Sequence, residues 1–309
     1  MTTNYDFIGK KYYAFAITGF LCIASIFLMF TVGMNWGVDF TGGTVMHLKF
    51  EKSVDQAKVR ELLGDGGLNL SPTVQGVSGK PEEAIIRTKM LYDKKEDGVT
   101  KDEVRDALQK GLGNTLAETM GATDIGPVAG AQLRAQATKA VILSWIITLL
   151  YLWYRFEFKY SIGGVIGIIH DCIVTIGFFI LFKLEVNITT MAALLTIIGY
   201  SINDSIIVCD RMRENIRLIK GMNYTDLFNH SINQMLTRTI NTSMTVMITV
   251  VILFLIATGE IKDFAFAMII GVITGTYSSI YIVGPIAIYF HELEQSRIKS
   301  RLVGKKKYA

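Results

Sequence analysis

The sequence predicts a membrane all-α bundle of six transmembrane helices with an inserted α+β ferredoxin-like domain on the extracytoplasmic side. Three observations predict it. Half of the 309 residues are hydrophobic and the mean hydropathy is +0.38, too apolar for an ordinary soluble domain. Six apolar runs are long enough, or extendable enough, to cross a bilayer as helices. A block of about 100 residues between the first two runs mixes alternating and amphipathic patterns instead, the size of one small domain.

The elements follow in order. Tyr13 to Val32 is the first span; Lys10 and Lys11 precede it and no small-residue cleavage site appears before Asn35, so it reads as an uncleaved anchor. Thr44 to Phe50 alternates as a strand, and Ser53 to Leu63 is a helix with Ser53 as its N-cap. Gly64, Gly66 and Gly67 mark a loop after it. Val74 to Val77 and Ala84 to Lys89 are short strands. Thr100 to Leu112 is an amphipathic helix whose Thr100 and Glu103 have capping-box spacing, and Glu118 to Ile125 closes the sheet. The order β-α-β-β-α-β is that of a ferredoxin-like sandwich.

The second span, Ala140 to Tyr154, is short, but the helix-compatible segment Val128 to Lys139 lengthens it. Ile162 to Phe182, Val186 to Cys209 and Ile240 to Thr258 are the third, fourth and fifth spans. Phe264 to Phe290 is long for a sixth, so it tilts or continues past the bilayer. The loop from Asp210 to Thr237 holds an amphipathic stretch, Asn223 to Leu236, expected to lie along the interface and read either as docking a partner or as a connecting helix with a solvated face. The domain division is 1–34 (N-terminus and first span), 35–137 (outer domain), 138–292 (remaining spans) and 293–309 (basic tail).

Charge orients the bundle. Lys10, Lys11, Arg155, Lys159, Arg211, Arg213, Arg217, Lys220 and the run from Arg297 to Lys307 fall on one side, while the opposing short loops hold Lys183 and Lys262. Both termini are therefore expected in the cytoplasm of a multi-pass protein. The net charge of +4 comes mainly from those ends, so it reports topology and lipid headgroups rather than nucleic acid. Cys22, Cys172 and Cys209 lie within or at the edges of spans, without disulfide or metal-ligand spacing. The outer domain has no catalytic motif or phosphate loop, and its lone His47 reads as structural. Either it touches or moves against a polypeptide or partner, or it is a rigid plug.

The chemistry is concentrated inside the spans. Asp204 sits in the apolar segment from Leu194 to Val208, where an ionised side chain costs roughly 2.5 to 3.5 kcal/mol on insertion scales. Tyr200 and Ser201 share its helical face, with Asn203 and Ser205 flanking. On the fifth span Arg238, Asn241, Thr242, Thr245 and Thr249 form a polar stripe. By helical rise, Asp204 lies about 9 Å inside the boundary marked by Asp210, a depth compatible with a pair to Arg238. His170 and Asp171, midway along the third span, are a second candidate relay. Both acids also read as polar glue between helices. Gly199, Gly271 and Gly275 allow close helix approach. The chain has no Gly-x-x-x-x-Gly-Lys-Ser/Thr loop for ATP, so its energy comes from an ion gradient or a partner, with no cofactor.

Several blocks together resemble the SecD/SecF protein-export family. They are Gly37-Val38-Asp39-Phe40-Thr41-Gly42-Gly43, Gly126-Pro127-Val128-Ala129-Gly130, Arg155-Phe156-Glu157-Phe158, His170-Asp171, Gly199-Tyr200-Ser201-Ile202-Asn203-Asp204 with Asp210-Arg211-Met212-Arg213-Glu214-Asn215, and Gly275-Thr276-Tyr277-Ser278-Ser279-Ile280. One departure is Phe158, where the family often has Trp. The single small outer domain is similar to the SecF branch, related to the resistance-nodulation-division transporters. That resemblance implies a proton-driven role in late preprotein translocation across the bacterial cytoplasmic membrane. It also implies SecD as partner, with the SecYEG translocon, YajC, YidC and unfolded preprotein as further contacts. Asp204 becomes the proton-relay carboxylate and Arg238 its basic partner, with His170, Asp171, Tyr200, Ser201, Asn203, Ser205, Thr242 and Thr245 as supporting candidates. Asp39, Gly42, Gly43, Gly126, Pro127 and Gly130 become structural motif positions. Three other readings stay open: a half-transporter exporting a small molecule or lipid, an intramembrane aspartyl protease using Asp171 and Asp204, and a membrane scaffold.

Overall fold

The computed structural model describes residues 5–64, 67–70, 72–77, 79–92, 98–113, 116–156 and 158–306. Gly66, Glu157 and Lys307, which belong to the expected loop, family block and basic tail, lie outside the described residues. Six helical stretches are long and apolar enough to span a membrane. They are α1 (Lys11–Thr31), α5 (Pro127–Arg155), α6 (Phe158–Leu181), α7 (Ile188–Leu218), α8 (Tyr224–Ile256), and α9 (Gly259–Tyr281) continuing into α10 (Val283–Lys306). A one-turn helix α2 (Val38–Thr41) and the outer domain separate α1 from α5. That domain contains β1 (Gly43–Phe50), α3 (Gln56–Leu63), β2 (Thr73–Val77), β3 (Lys80–Thr88), α4 (Lys101–Gly111) and β4 (Leu116–Ile125).

The element order is the expected β-α-β-β-α-β, and the four strands form one antiparallel sheet in the order β2-β3-β1-β4. Alternation explains the layering. Met46, Leu48 and Phe50 leave one face of β1, Ile86 leaves β3, and they pack against Val59 and Leu63 of α3 and Val104 and Leu108 of α4. These side chains are buried, and truncating one such leucine to alanine typically costs about 2–5 kcal/mol. The capping box on α4 forms as its spacing predicts: Thr100 Oγ accepts from Glu103 N and Glu103 accepts from Thr100 N.

Two expectations need correction. The cap of α3 is Asp55, which accepts from Ala57 N at 2.9 Å, and not Ser53. Val54 N is bonded to Pro81 O, which keeps the chain extended until residue 55. Asn223 to Leu236 does not lie along an interface. Asn223 caps α8, and the stretch forms its first turns, with Leu227, Phe228 and Ile232 buried beside Met212 of α7 and Ala287 of α10. The sixth run continues beyond Phe290, in keeping with its length, with one interruption. It breaks at Ile282, where the ring of Pro285 cannot accommodate the carbonyl four residues back.

The motif after α1 clamps the domain to the bundle. Gly37 N donates to Val186 O and Val186 N to Asn35 O, so the two crossing loops pair through their backbones. Asp39 Oδ2 accepts from Ile188 N at 3.1 Å, satisfying an orphan donor in the first turn of α7. Gly42 has φ of +79°, and a Cβ there would lie 2.8 Å from the backbone of Pro127. A Cβ on Gly130 would lie 2.9 Å from Gly42 N, so α2 and α5 touch backbone to backbone. Gly43 faces Thr88 O at a separation that leaves no room for a side chain. Gly126 alone separates β4 from α5, and Pro127 starts the helix at the position where a missing N–H is harmless.

A second tether is ionic. Arg87 of β3, only 6% exposed, donates to Gln75 Oε1 at 2.6 Å and to Glu260 Oε1 at 2.9 Å at the start of α9. Glu260 in turn accepts from Thr189 Oγ of α7 at 2.8 Å, and Thr73 of β2 donates to Glu185 in the loop before α7.

Two outcomes test this packing. Gly42→Ala combines a left-handed backbone with a clash against Pro127, so a loss of about 1–3 kcal/mol is expected, read as a lower unfolding midpoint of the intact chain. The hydrogen bond from Lys80 holds the Glu83 carboxyl below its usual 4.5, opposed by burial and helped by His47. A carboxylate with a lowered folded value stabilises the fold above the unfolded value and loses that contribution as pH falls through the folded one. Glu83→Gln should therefore flatten the acid limb of the unfolding midpoint measured from pH 7 to below 4.5.

Candidate functional site

The polar groups of the spans gather where α6, α7 and α9 cross. Small residues permit the approach: Gly271 of α9 lies against Ile197 of α7, and a Cβ on Gly275 would be 3.1 Å from that of Ser201. Asp171 of α6 is fully buried in this junction. Its Oδ1 pairs with His170 Nδ1 at 2.9 Å, while Oδ2 accepts from Ser201 Oγ of α7 at 2.6 Å and from Ser278 Oγ of α9 at 2.9 Å. One carboxylate thus joins three helices. His170 Nε2 is buried without a hydrogen-bond partner among the described residues, so the imidazole can carry one proton toward Asp171 while its far nitrogen is uncommitted. Its ring lies 6.5 Å from that of Tyr277, whose hydroxyl donates to Ala14 O and thereby attaches α1.

One turn along α7 the situation reverses. Asp204 is also fully buried, yet neither carboxylate oxygen has a hydrogen-bond partner among the described residues. Arg238 acts on it by Coulombic attraction, but no hydrogen bond joins them and the guanidinium side of α8 is exposed. The depth match read from the sequence therefore places the two on adjacent helices without bringing them into contact. Nearby, Tyr200 donates to Ser243 at 2.8 Å, and Ser243 bonds Thr276 at 2.7 Å, which ties α7, α8 and α9 together beside Asp204. Thr239 Oγ is buried and unpartnered in the same region among the described residues. Ser205 folds back onto Ser201 O.

Other candidates stay apart from this cluster. Asn203 is exposed on the outer face of α7. Thr242 and Thr245 donate to carbonyls of their own helix, Arg238 O and Thr242 O, rather than reaching a carboxylate. Sequence reasoning assigned no role to Ser278, Ser243 and Thr276. Ser278 and Thr276 lie in the Gly275-to-Ile280 block, and their signal was a run of hydroxyls following the two glycines. Asp263, 7% exposed on the first turns of α9, was also missed; it sits within the electrostatic reach of Arg87, Glu185 and Glu260 at the domain end.

The arrangement holds two buried carboxylates in different conditions. Asp171 is fixed by three donors, so protonating it would disturb contacts to three helices at once. Asp204 is buried with no hydrogen-bond partner among the described residues, so a proton gained or lost there breaks none of the hydrogen bonds described.

A six-span bundle with buried carboxylates and one small α+β domain between its first two spans defines a multi-pass membrane protein of the transporter type. Residues 103–293 match the family model described as protein export membrane protein SecD/SecF, C-terminal, and residues 27–54 match the SecD/SecF GG motif. The chain belongs to the SecD/SecF family of protein-export membrane proteins. It is 40% identical to the protein translocase subunit SecF of Calditerrivibrio nitroreducens, over 90% of this chain and 91% of that one. It is 36% identical to the SecF subunit of Escherichia coli O157:H7, over 92% of this chain and 87% of that one. The crystal structure of SecDF from Thermus thermophilus superposes with a TM-score of 0.80 at 34% identity, covering 94% of this chain and 39% of the longer protein.

The two acids should respond oppositely to neutralisation. Asp171→Asn weakens three bonds in the dry junction and should cost about 1–3 kcal/mol. Asp204→Asn removes no hydrogen bond and should leave the midpoint unchanged or raised. Thermal unfolding of both variants in the same detergent measures this, and equal losses would mean that Asp204 is bonded after all.

Proposed function

We propose that this chain is the SecF-type subunit of a protein translocase accessory complex that uses the proton gradient to promote late preprotein export. The observation that carries the reading is the buried, unbonded carboxylate of Asp204 on the helix that also supplies Ser201 to Asp171. Proton uptake at Asp204 changes the charge between α7 and α8. The Tyr200–Ser243–Thr276 bonds pass the change to α9, and the first turn of α9 holds Arg87 of the outer domain. Arg238 steers the charge of Asp204, and the His170–Asp171 pair is the fixed support of the relay.

The positive-inside pattern puts both termini in the cytoplasm of the bacterial cell and the sheet domain outside the cytoplasmic membrane. One proton crossing 150 mV releases about 3.5 kcal/mol, enough to bias a two-state domain by a few hundredfold. Two features ask for a partner in the membrane. Arg238, Asn241, Thr245 and Thr249 are exposed along α8, and Thr196, Gly199 and Asn203 along α7. A polar face of this kind is costly against lipid tails. The Thermus protein, similar to this chain over two fifths of its own length, is named SecDF, which supports SecD as the covering bundle. SecYEG is the translocon served, YajC and YidC are further candidate contacts, and the outer domain handles unfolded preprotein.

Export measured with and without a proton gradient, in membranes carrying the assembled complex, tests the proposal. Asp204→Asn should abolish the gradient-dependent part while ATP-driven early translocation and assembly survive. Arg238→Lys keeps the charge but loses the planar fork, so partial loss is expected. Normal gradient-dependent export by assembled Asp204→Asn would overturn the relay role.

A further inference from the structure

On the side of the bundle opposite the sheet domain, the ends of α5 and α7 border an open cavity of about 450 Å³ lined by Arg155, Asp210, Arg213, Glu214, Arg217 and Leu218. That volume falls in the ordinary range of small-molecule sites. Its charge is unbalanced. Asp210 makes a loose pair with Arg155 at 3.7 Å, and Glu214 is engaged by Arg211 outside the cavity. Arg155 lies over the Phe156 ring at 5.0 Å, and Arg213 reaches the carbonyl of Arg155 at 3.5 Å. Arg217 has no hydrogen bond or ion pair among the described residues. The ends of the two helix dipoles, at roughly half a negative charge each, and the Asp210 carboxylate offset two of the three guanidiniums. Among the described residues, about one positive charge is left over.

The level of the cavity selects the ligand. Arg155 ends the apolar stretch of α5, and Asp210 is the first charged residue after that of α7 apart from buried Asp204, so the guanidiniums stand where both helices leave the hydrocarbon. The adjoining turn of α5 exposes Tyr151, Trp153 and Tyr154, the last 93% exposed, as aromatic anchors of a membrane interface do. Leu218, on the rim, is 68% exposed and offers apolar surface to a glycerol backbone or acyl chain. Guanidinium groups match phosphate oxygens in planar, bidentate geometry.

We propose that this cavity binds the phosphodiester headgroup of an anionic phospholipid, with Arg213 and Arg217 as phosphate ligands and Arg155 holding the inner wall. The single surplus charge fits the single negative charge of a phosphodiester. The site does not depend on which acid carries the proton.

The experiment counts lipid retained by the purified full-length chain after detergent exchange, by mass spectrometry of the intact protein supplied with phosphatidylglycerol or phosphatidylcholine. One phosphatidylglycerol per chain should persist and phosphatidylcholine should wash out. Arg213→Gln with Arg217→Gln should weaken retention about tenfold to thirtyfold, whereas Lys10→Gln with Lys11→Gln, two cations on the same side, should not. Arg213→Lys with Arg217→Lys keeps the charge and should lose several-fold, which carries the test if the glutamine pair fails to fold. Unchanged retention by a folded glutamine pair overturns the site. So does an equal loss in the Lys10 and Lys11 variant, which would mean general surface attraction. Displacement of the lipid by millimolar inorganic phosphate would overturn the lipid assignment in favour of a soluble anion.

Discussion

The bundle is organised around one buried carboxylate that cannot be left without donors. Asp171 is fully buried between spans, where every orphan polar group is expensive. Its oxygens are satisfied by donors from its own helix and from two others, so α6, α7 and α9 have a single compatible register. The glycines that let α9 reach α7, and the buried hydroxyls of Ser201 and Ser278, make sense only with that acceptor in place. Without a hydrophobic driving force between helices in lipid, close packing and such bonds are what hold spans together.

Against this fixed point, Asp204 is the part of the site that is free to change. The two acids are separated along the bundle by the Ser201 turn, yet one is fully engaged and the other has no partner. Chemistry that depends on a proton coming and going needs that contrast. Any change at Asp171 must be accommodated by three hydrogen-bonded side chains, whereas a change at Asp204 breaks no hydrogen bond among the described residues. The same contrast argues against a hydrolytic dyad: Asp171 spends its oxygens on side chains of the fold, and no bond links it to Asp204.

Much of this was legible in the residues because bilayer and sheet impose strong periodicities. The six spans followed from apolar length, and the α4 capping box from Thr100 and Glu103. What failed was decided by tertiary contacts. Ser53 has the chemistry of a cap, but the bond from Val54 to Pro81 delays the helix to Asp55. Asn223 to Leu236 is amphipathic like an interfacial helix, yet its apolar side meets α7 and α10 rather than lipid. Asp204 and Arg238 matched in depth, but depth carries no information on rotation about a helix axis, and the guanidinium faces outward. Ser278 was invisible for a related reason: a serine on a packed span reads as a small residue until the acceptor across from it is known.

The single residue between β4 and α5 has a mechanical consequence. Gly126 is the one residue between β4 and α5, and Pro127 fixes the backbone where the helix starts. A connection this short couples the strand closely to the span, so a tilt of the span moves the strand, and more with distance from the joint. The ten residues of β4 extend about 34 Å. A lean of about 10° in the span, if the tethers at Asp39 and Arg87 yield, sweeps the tip of that strand through roughly 6 Å. A small tilt of the span thereby becomes an excursion comparable to two residues of extended chain.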